Sequence, residues 1–414
     1  MALVVQKYGG TSVGSTERIK AVADRVARAR ARGDRMVVVV SAMAGETNRL
    51  FALAGELSDN PSARETDVLV ATGEQVSAAL LAIRLRALGY PTVSFLAYQL
   101  RIMTDAQHGG ARIKSIDGDR LHAALEAGNI AVVAGYQGIS PAGDITTLGR
   151  GASDLTAVAL AAVLKADACE IYTDVDGVYT ADPNICPQAR RLEHISYDEM
   201  LEMAGLGAKV LQLRSVELAR RYNVPLIVRS SFVEGDGGTR VSQEEKAMEE
   251  VLVAGVTLDD NQSKITLTGV EDRPGLAARI FGPIADAGIV VDMIIQNAGA
   301  DGRADLTFTV PRTDLLRALE LVSKVAGEIG SAGVRHEEQV AKVSIVGVGM
   351  RTHAGVAARM FAVLAAEAIN IEMIATSEIK VSVVVNPKYG ELAMRVLHDA
   401  FLGDGSVAKP ARRA

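Results

Sequence analysis

Cysteine is scarce: Cys169 and Cys186 are the only two in 414 residues. They share no CxxC spacing, so neither a disulfide framework nor a zinc site is expected. The six histidines are scattered, and none stands at ligand spacing from another. Positive charge is not in excess, with 44 Lys and Arg against 50 Asp and Glu and a net charge of -6. That excludes nucleic acid as the main partner, because binding a phosphate backbone needs a basic surface. No apolar run approaches the roughly 20 residues that cross a bilayer; the longest, at 36–40 and 155–164, read as a buried strand and a core helix. The opening MALVVQKYGG lacks a basic n-region and breaks at Gln6-Lys7, so it reads as a first strand and not as a secretory signal. These absences predict a soluble, cytoplasmic protein of a reducing compartment, without a nucleic-acid or membrane partner. What is present is 49% hydrophobic and 23% charged residues. Such a chain buries a large core, and its length suits roughly two or three domains.

Up to about residue 230, short apolar segments alternate with longer helical patterns. The expected strands are 3–6, 36–40, 92–95, 130–134, 170–172 and 226–228; the expected helices include 17–32, 67–88, 121–127 and 154–165. This alternation predicts an α/β/α sandwich on a mainly parallel sheet, with ligands gathered beyond the carboxyl ends of the strands. From Phe232 to Glu250 the composition turns to Gly, Glu and Lys and reads as a linker.

An internal repeat follows. KITLTGVEDRPGLAARIFGPIADAGIVVDMI from Lys264 resembles KVSIVGVGMRTHAGVAARMFAVLAAEAINIEMI from Lys342, with Arg279 matching Arg359 and Asp292 matching Glu372 at one constant offset. Each copy reads strand, turn, helix, strand, strand, helix. The first has a closing strand near 333–340, whereas VLVAGVTL at 251–258 has no place in it. The expected organisation is therefore residues 1–246, with a linker at about 232–250, then a first repeat at 264–340. The second repeat is expected to be discontinuous, 251–258 plus 341–405.

Three elements carry candidate chemistry. The first strand runs into Lys7-Tyr8-Gly9-Gly10-Thr11-Ser12, where adjacent glycines permit a tight turn that gathers N–H groups for phosphate oxygens beside a lysine charge. This is neither the P-loop nor the GxGxxG dinucleotide turn. A second loop, Thr146-Thr147-Leu148-Gly149-Arg150-Gly151-Ala152-Ser153-Asp154, opens an apolar helix. Ser153 or Asp154 is expected to cap it, its first amides favour an anion, and Arg150 offers a planar fork for a carboxylate. The third element, 172–183 (YTDVDGVYTADP), is a strand end with a carboxylate-bearing loop suited to a nucleotide and its Mg²⁺.

KYGGTS, VVVVSAM, ATGE, GRGASD and YTDVDGVYTADP in this order resemble the aspartokinases of the amino-acid kinase superfamily, and the repeats resemble ACT regulatory modules of ferredoxin-like βαββαβ form. The resemblance implies transfer of the γ-phosphoryl of ATP to the side-chain carboxylate of L-aspartate, giving 4-phospho-L-aspartate and ADP at the head of lysine, threonine and methionine (diaminopimelate) biosynthesis. It implies Lys7 on the transferring phosphoryl, with Asp154 orienting Lys7. Tyr8, Gly9, Gly10 and Ser41 would lie on the phosphates, and Thr173, Asp174, Tyr179, Thr180, Ala181, Asp182, Pro183, Asn184 and Lys209 on the nucleotide. Arg150 would clamp the α-carboxylate of aspartate and Glu74 meet its ammonium, with Thr47, Gly151, Ala152 and Ser153 completing the substrate site. Mg²⁺ would bridge the phosphates, with no protein ligand assigned to it. Lysine, threonine or both would bind at Asp272, Ala277, Asp292, Gln296, Asn370 and Ile371. Assembly through the ACT repeats is expected, as a homodimer or an α2β2-type complex. Glu244-Glu245-Lys246 before Met248 suits an internal start that would supply a separate β subunit. Ala152 stands where the family pattern has Gly, and His353-Ala354-Gly355 where a Pro-Gly turn is typical. Sister kinases of acetylglutamate, glutamate or nucleoside monophosphates would share the fold without KYGGTS and paired ACT repeats. A non-catalytic amino-acid sensor would keep the repeats and lose Lys7 or the charges of GRGASD.

Overall fold

The computed structural model describes residues 1–207, 210–233, 235, 237–243, 252–299, 302–348, 350 and 355–403. Lys209, Glu244, Glu245, Lys246, Met248, His353 and Ala354 lie outside the described residues. The chain divides into two units, 1–179 with 191–247, and 180–190 with 248–414.

The first unit is built on an eight-stranded sheet. From inside to one edge it runs Ala168–Thr173, Leu3–Tyr8, Arg35–Val40, Ile130–Ala134 and Thr92–Phe95, each parallel to its neighbour. Val37 to Val40 are all buried, as a strand covered on both faces by helices requires, and such a strand reads as an unbroken apolar run. Ser15 caps the helix Thr16–Ala31 by accepting from the Arg18 amide, and Ser196 with Glu199 forms a capping box for Tyr197–Gly205. The helix Ser153–Leu164, apolar on nearly every side, is buried almost throughout and packs over Leu3–Tyr8.

Three elements depart from the sequence reading. The expected helix 67–88 is two helices, Ala63–Val70 and Thr72–Ala87, meeting at Ala71. Together they form the one helical stretch among the described residues that is long and apolar enough to match a membrane span, and half of its most apolar window is packed inside the protein. A second, four-stranded sheet of Met103–Thr104, Ile113–Ser115, Gln137–Ile139 and Ile145–Thr147 was not expected. Its strands are too short to show alternation. The stretch from Phe232 is not linker throughout, because Thr239–Ser242 joins the main sheet, antiparallel to Leu226–Ser230 and parallel to His194–Ser196. Gly238 permits that turn, since a Cβ there would stand 2.5 Å from the Val228 carbonyl oxygen.

The second unit carries one six-stranded antiparallel sheet threaded by two long strands, Leu252–Glu271 and Gly333–Val348. Residues 252–258 pair with 343–348, next to Lys380–Val385, whereas 264–271 pair with Arg303–Pro311 and with 333–337. Each half has its own core: Ile280, Phe308 and Val322 on one side, Met360, Val383 and Leu397 on the other.

Candidate active site

Parallel pairing puts the carboxyl ends of four strands side by side, and candidate loops of the first unit begin there, whereas the Gly149-Arg150-Gly151 loop follows Ile145–Thr147 of the four-stranded sheet. Gly9 follows Tyr8, Ser41 follows Val40, Gly135 follows Ala134 and Asp174 follows Thr173. Lys7, on the last turn of its strand, reaches Asp154 at the start of the overlying helix with Nζ 2.6 Å from Oδ1. That helix begins at Ser153 with Ala152 as its N-cap and no side-chain cap. The expected capping by Ser153 or Asp154 is therefore not found, because the Asp154 carboxylate is turned to Lys7. The Asp154 N–H donates to the Gly151 carbonyl at 3.4 Å, and a helix start without a side-chain cap favours an anion at its remaining amides. Ala152 has φ −77, so the pattern's glycine is not needed at that position, whereas Gly149 and Gly151 do adopt positive φ, 92 and 78.

The glycines after the first strand work differently from the sequence expectation. Gly9 has φ −70, and its N–H donates to the Tyr172 carbonyl, so that amide is already used. Gly10 is required by close approach: a Cβ there would lie 2.9 Å from the Ala42 carbonyl oxygen. Ala42 in turn donates its N–H to Glu74 Oε1 at 3.1 Å, and a Cβ on Gly73 would stand 2.8 Å from its methyl. The Ser41-Ala42 turn is thus clamped between Gly10 and the Gly73-Glu74 helix start. Glu74 is 3% exposed, and its Oε2 has no hydrogen-bond partner among the described residues. Burial raises its pKa to about 7, partly opposed by the Ala42 amide.

Arg150 is exposed and donates to Asn48 Oδ1 at 3.1 Å; Thr47 precedes that asparagine in the helix Glu46–Leu57. Ser153 is buried against Gly135, where a Cβ would come within 2.8 Å of its Oγ. Tyr136 follows with φ 71, its N–H on Thr156 Oγ1; a bulky side chain held at positive φ is strained backbone at the site's edge. Two braces escaped sequence reasoning. Buried Asp67 accepts from the Gly109 and Thr147 amides and the Thr147 hydroxyl and lies 2.9 Å from His108 Nδ1. Arg214 donates to the Leu148 and Ala111 carbonyls and so holds the loop before Gly149.

The nucleotide candidates divide between the units. Thr173, Asp174 and Tyr179 belong to the first, with the Thr173 hydroxyl 3.0 Å from Asp174 Oδ1 and the Tyr179 hydroxyl 2.8 Å from Asp176 Oδ1. Thr180, Ala181, Asp182, Pro183 and Asn184 belong to the second, where Ala181 is buried in the core with Met360 and Leu397. Of the effector candidates, Gln296 donates to Asp272 at 3.1 Å, and Asp292 pairs with buried Lys342. Ala277 and Asn370 are exposed and Ile371 half-buried.

The amino acid kinase family profile matches residues 2–230, more than half of the chain, and ACT domain profiles match 264–327 and 343–401. The chain is 56% identical over 414 residues to the aspartokinase of Pseudomonas aeruginosa, the whole of both chains being covered. The chain belongs to the aspartokinase family. Aspartate kinase activity and an ACT-bearing second unit are accordingly properties of this enzyme. It is also 49% identical over 402 residues to the aspartokinase of Helicobacter pylori, covering 96% of this chain and 99% of that one. Among solved structures it resembles E. coli aspartokinase III in complex with aspartate and ADP in the R-state, with a TM-score of 0.83, 29% identity, and 96% and 99% of the two chains covered. The T-state of that enzyme with lysine and aspartate gives a TM-score of 0.76 at 28% identity, covering 97% and 99%.

Proposed function

We propose that the enzyme transfers the γ-phosphoryl of ATP to the side-chain carboxylate of L-aspartate, giving 4-phospho-L-aspartate and ADP, at the start of lysine, threonine and methionine synthesis. An attacking carboxylate is already ionised at neutral pH, so no general base is needed. The obstacle is repulsion between two anions, and catalysis rests on positioning and on compensating charge. Lys7 supplies that charge, held in place by Asp154. Gly10, Ser41 and the open first turn of Ser153–Leu164 surround the phosphates. Arg150 takes the α-carboxylate, and Thr47 and Ser153 add hydrogen bonds.

The observation that carries the substrate reading is the free Oε2 of buried Glu74, which fits an ammonium. Aspartate offers that group together with two carboxylates. Hydroxamate trapping of the acyl phosphate tests it: aspartate should yield aspartyl hydroxamate, and an equal yield from glutamate would remove the specificity.

The chemistry of the donors around the strand ends, hydroxyls of Ser41 and Thr173 and carboxylates of Asp154 and Asp174, suits a hard ion such as Mg²⁺. Bound with ATP, that ion would supply charge that neutralises the triphosphate.

Regulation is proposed through the second unit. Lysine, threonine or both would bind at the Asp272–Gln296 pair, Ala277, Asp292, Asn370 and Ile371, and inhibit by favouring one conformation over another. Pairing of 252–258 with 343–348 supports a discontinuous second ACT domain. Subunits would assemble through these domains in the cytoplasm, as a homodimer or with a β subunit started at Met248. Assays with each amino acid alone and with both together test the inhibition, and a second, shorter band on expression tests the internal start.

A further inference from the structure

Folding brings together three side chains that the sequence keeps far apart. Cys186 lies in the 180–190 segment of the second unit, and His398 and Asp399 lie on the helix Gly390–Leu402 of the same unit. The Cys186 sulfur, a His398 ring nitrogen and an Asp399 carboxylate oxygen are all within 4.8 Å of one another. Cys186 and His398 are buried, at 0% and 1% exposure, and Asp399 is open to solvent.

The histidine is oriented from its far side. Nε2 lies 2.9 Å from Thr180 Oγ1, which also accepts the Arg190 amide at 2.9 Å. The hydroxyl can accept from Nε2–H as well, and in that tautomer the lone pair is on Nδ1. Nδ1 has no hydrogen-bond partner among the described residues; the nearest Asp399 oxygen is 3.9 Å away. A buried ring nitrogen left without a partner beside a thiol and a carboxylate is an unfinished coordination sphere. Among nearby cations, Arg190 donates to the Leu402 carbonyl at 2.7 Å and Arg395 lies 3.5 Å from Glu391.

We propose that Cys186, His398 and Asp399 bind a thiophilic divalent ion of the Zn²⁺ class, with water or the Gln188 side chain at the fourth position. Sulfur, imidazole and carboxylate are the donors Zn²⁺ takes tetrahedrally, and the sulfur disfavours Mg²⁺ and Ca²⁺. The Thr180 hydroxyl behind the imidazole stands where a carboxylate, backbone carbonyl or water usually supports a ligating histidine, and can accept the same ring N–H. A thiol must lose its proton to ligate a metal ion, and a neutral imidazole ligates through its free nitrogen. Binding forms the sulfur–metal and nitrogen–metal bonds and releases the thiol proton to solvent. The ion would add a tie between the 180–190 segment and the helix Gly390–Leu402, beyond the packing of Ala181 and Cys186 in the same core. Scattered cysteine and histidine gave no hint of this, because ligand spacing is legible only within one element or turn.

The test is titration of the full-length, chelator-treated enzyme with Co²⁺ in excess Mg²⁺. The expected result is one Co²⁺ per chain with a sulfur-to-cobalt charge-transfer band and a tetrahedral visible spectrum, both displaced by Zn²⁺. Cys186→Ser should abolish the band and Cys169→Ser should keep it. Asp399→Asn, at an exposed position that puts the fold at little risk, should shift the Co²⁺ spectrum and weaken binding. Thr180→Val should weaken it by about 10–100-fold. Absence of the band in the parent chain, its survival in Cys186→Ser, or unchanged affinity in Asp399→Asn would each overturn the assignment.

Discussion

Lys7 Nζ and Asp154 Oδ1 stand 2.6 Å apart, with 11% and 9% of their side chains exposed. One residue comes from the end of a strand and the other from the start of the helix packed over it, so their meeting fixes the cleft floor. In the proposed mechanism the pair would hold the ammonium in one place before substrates arrive, so that its charge needs no reorganisation when the phosphoryl moves. Lys7→Ala should reduce kcat by about 10²–10³ while aspartate KM stays near its parent value. Asp154→Asn should also cut kcat and, by leaving the lysine unpaired, destabilise the first unit by roughly 3 kcal/mol. Steady-state kinetics and urea melts of both variants check this, and turnover near the parent level in Lys7→Ala would take it out of the mechanism.

Glu74 gives the enzyme a pH signature. Its folded pKa is raised from 4.5 to about 7 by burial, and only the ionised form receives an ammonium. The kcat/KM for aspartate should therefore fall as pH drops through about 7 in the free enzyme, and Glu74→Gln should raise aspartate KM and flatten that limb. Stability moves the other way. A carboxyl with a raised folded pKa contributes stability fully below its unfolded value of 4.5, and that contribution is lost as pH rises through 7. The loss amounts to about 3 kcal/mol. Denaturant midpoints across this window should decline in the parent and hold level in Glu74→Gln; parallel profiles would mean that another group titrates.

Arg150 is exposed, and its one described side-chain partner is Asn48, so its removal should spare the fold. The clamp on the α-carboxylate would lose a charge-assisted contact of about 1.5–3 kcal/mol, equivalent to a rise in aspartate KM of roughly 10–150-fold. Lysine at this position keeps the charge and loses the planar fork, so Arg150→Lys should recover only part of the loss. Equal aspartate KM values in parent and Arg150→Ala would place the clamp elsewhere.

The sheet was legible from the apolar runs, with 92–95 and 130–134 found at the expected bounds. Burial on both faces leaves 130–134 an uninterrupted apolar run, and its shortness and β-branched residues mark it as a strand. Lys7 and the GRGASD loop were legible because they lie at the end of a strand and the opening of a helix, whereas Glu74 stood out only through the resemblance of ATGE to the family pattern. Asp67, His108 and Thr147 were not, since their association depends on loops that cross from distant parts of the chain. Ser153 and Asp154 were read as caps because residues of that type at a helix start usually are; the nearby Lys7 ammonium outcompetes the backbone for the Asp154 carboxylate.

Gly10 was expected to matter through backbone freedom, and the structure gives a different reason with a sharper consequence. A methyl at Gly10 would face the Ala42 carbonyl oxygen at 2.9 Å, a backbone atom that a rotamer change cannot move. Relief must come from shifting the Ser41-Ala42 turn, and the Ala42 amide is the group bonded to Glu74. Gly10→Ala should therefore destabilise the first unit by about 1–3 kcal/mol and raise KM for both ATP and aspartate, because one displacement disturbs the phosphate turn and the ammonium receptor together. Gly9→Ala meets Lys7 Nζ at 3.4 Å, the far end of a flexible side chain, and φ −70 suits an alanine. It should cost less stability and act mainly on kcat. Thermal melts and two-substrate kinetics of the pair decide the matter, and a Gly10→Ala enzyme that loses ATP affinity while aspartate KM stays fixed would break the proposed link through Ala42.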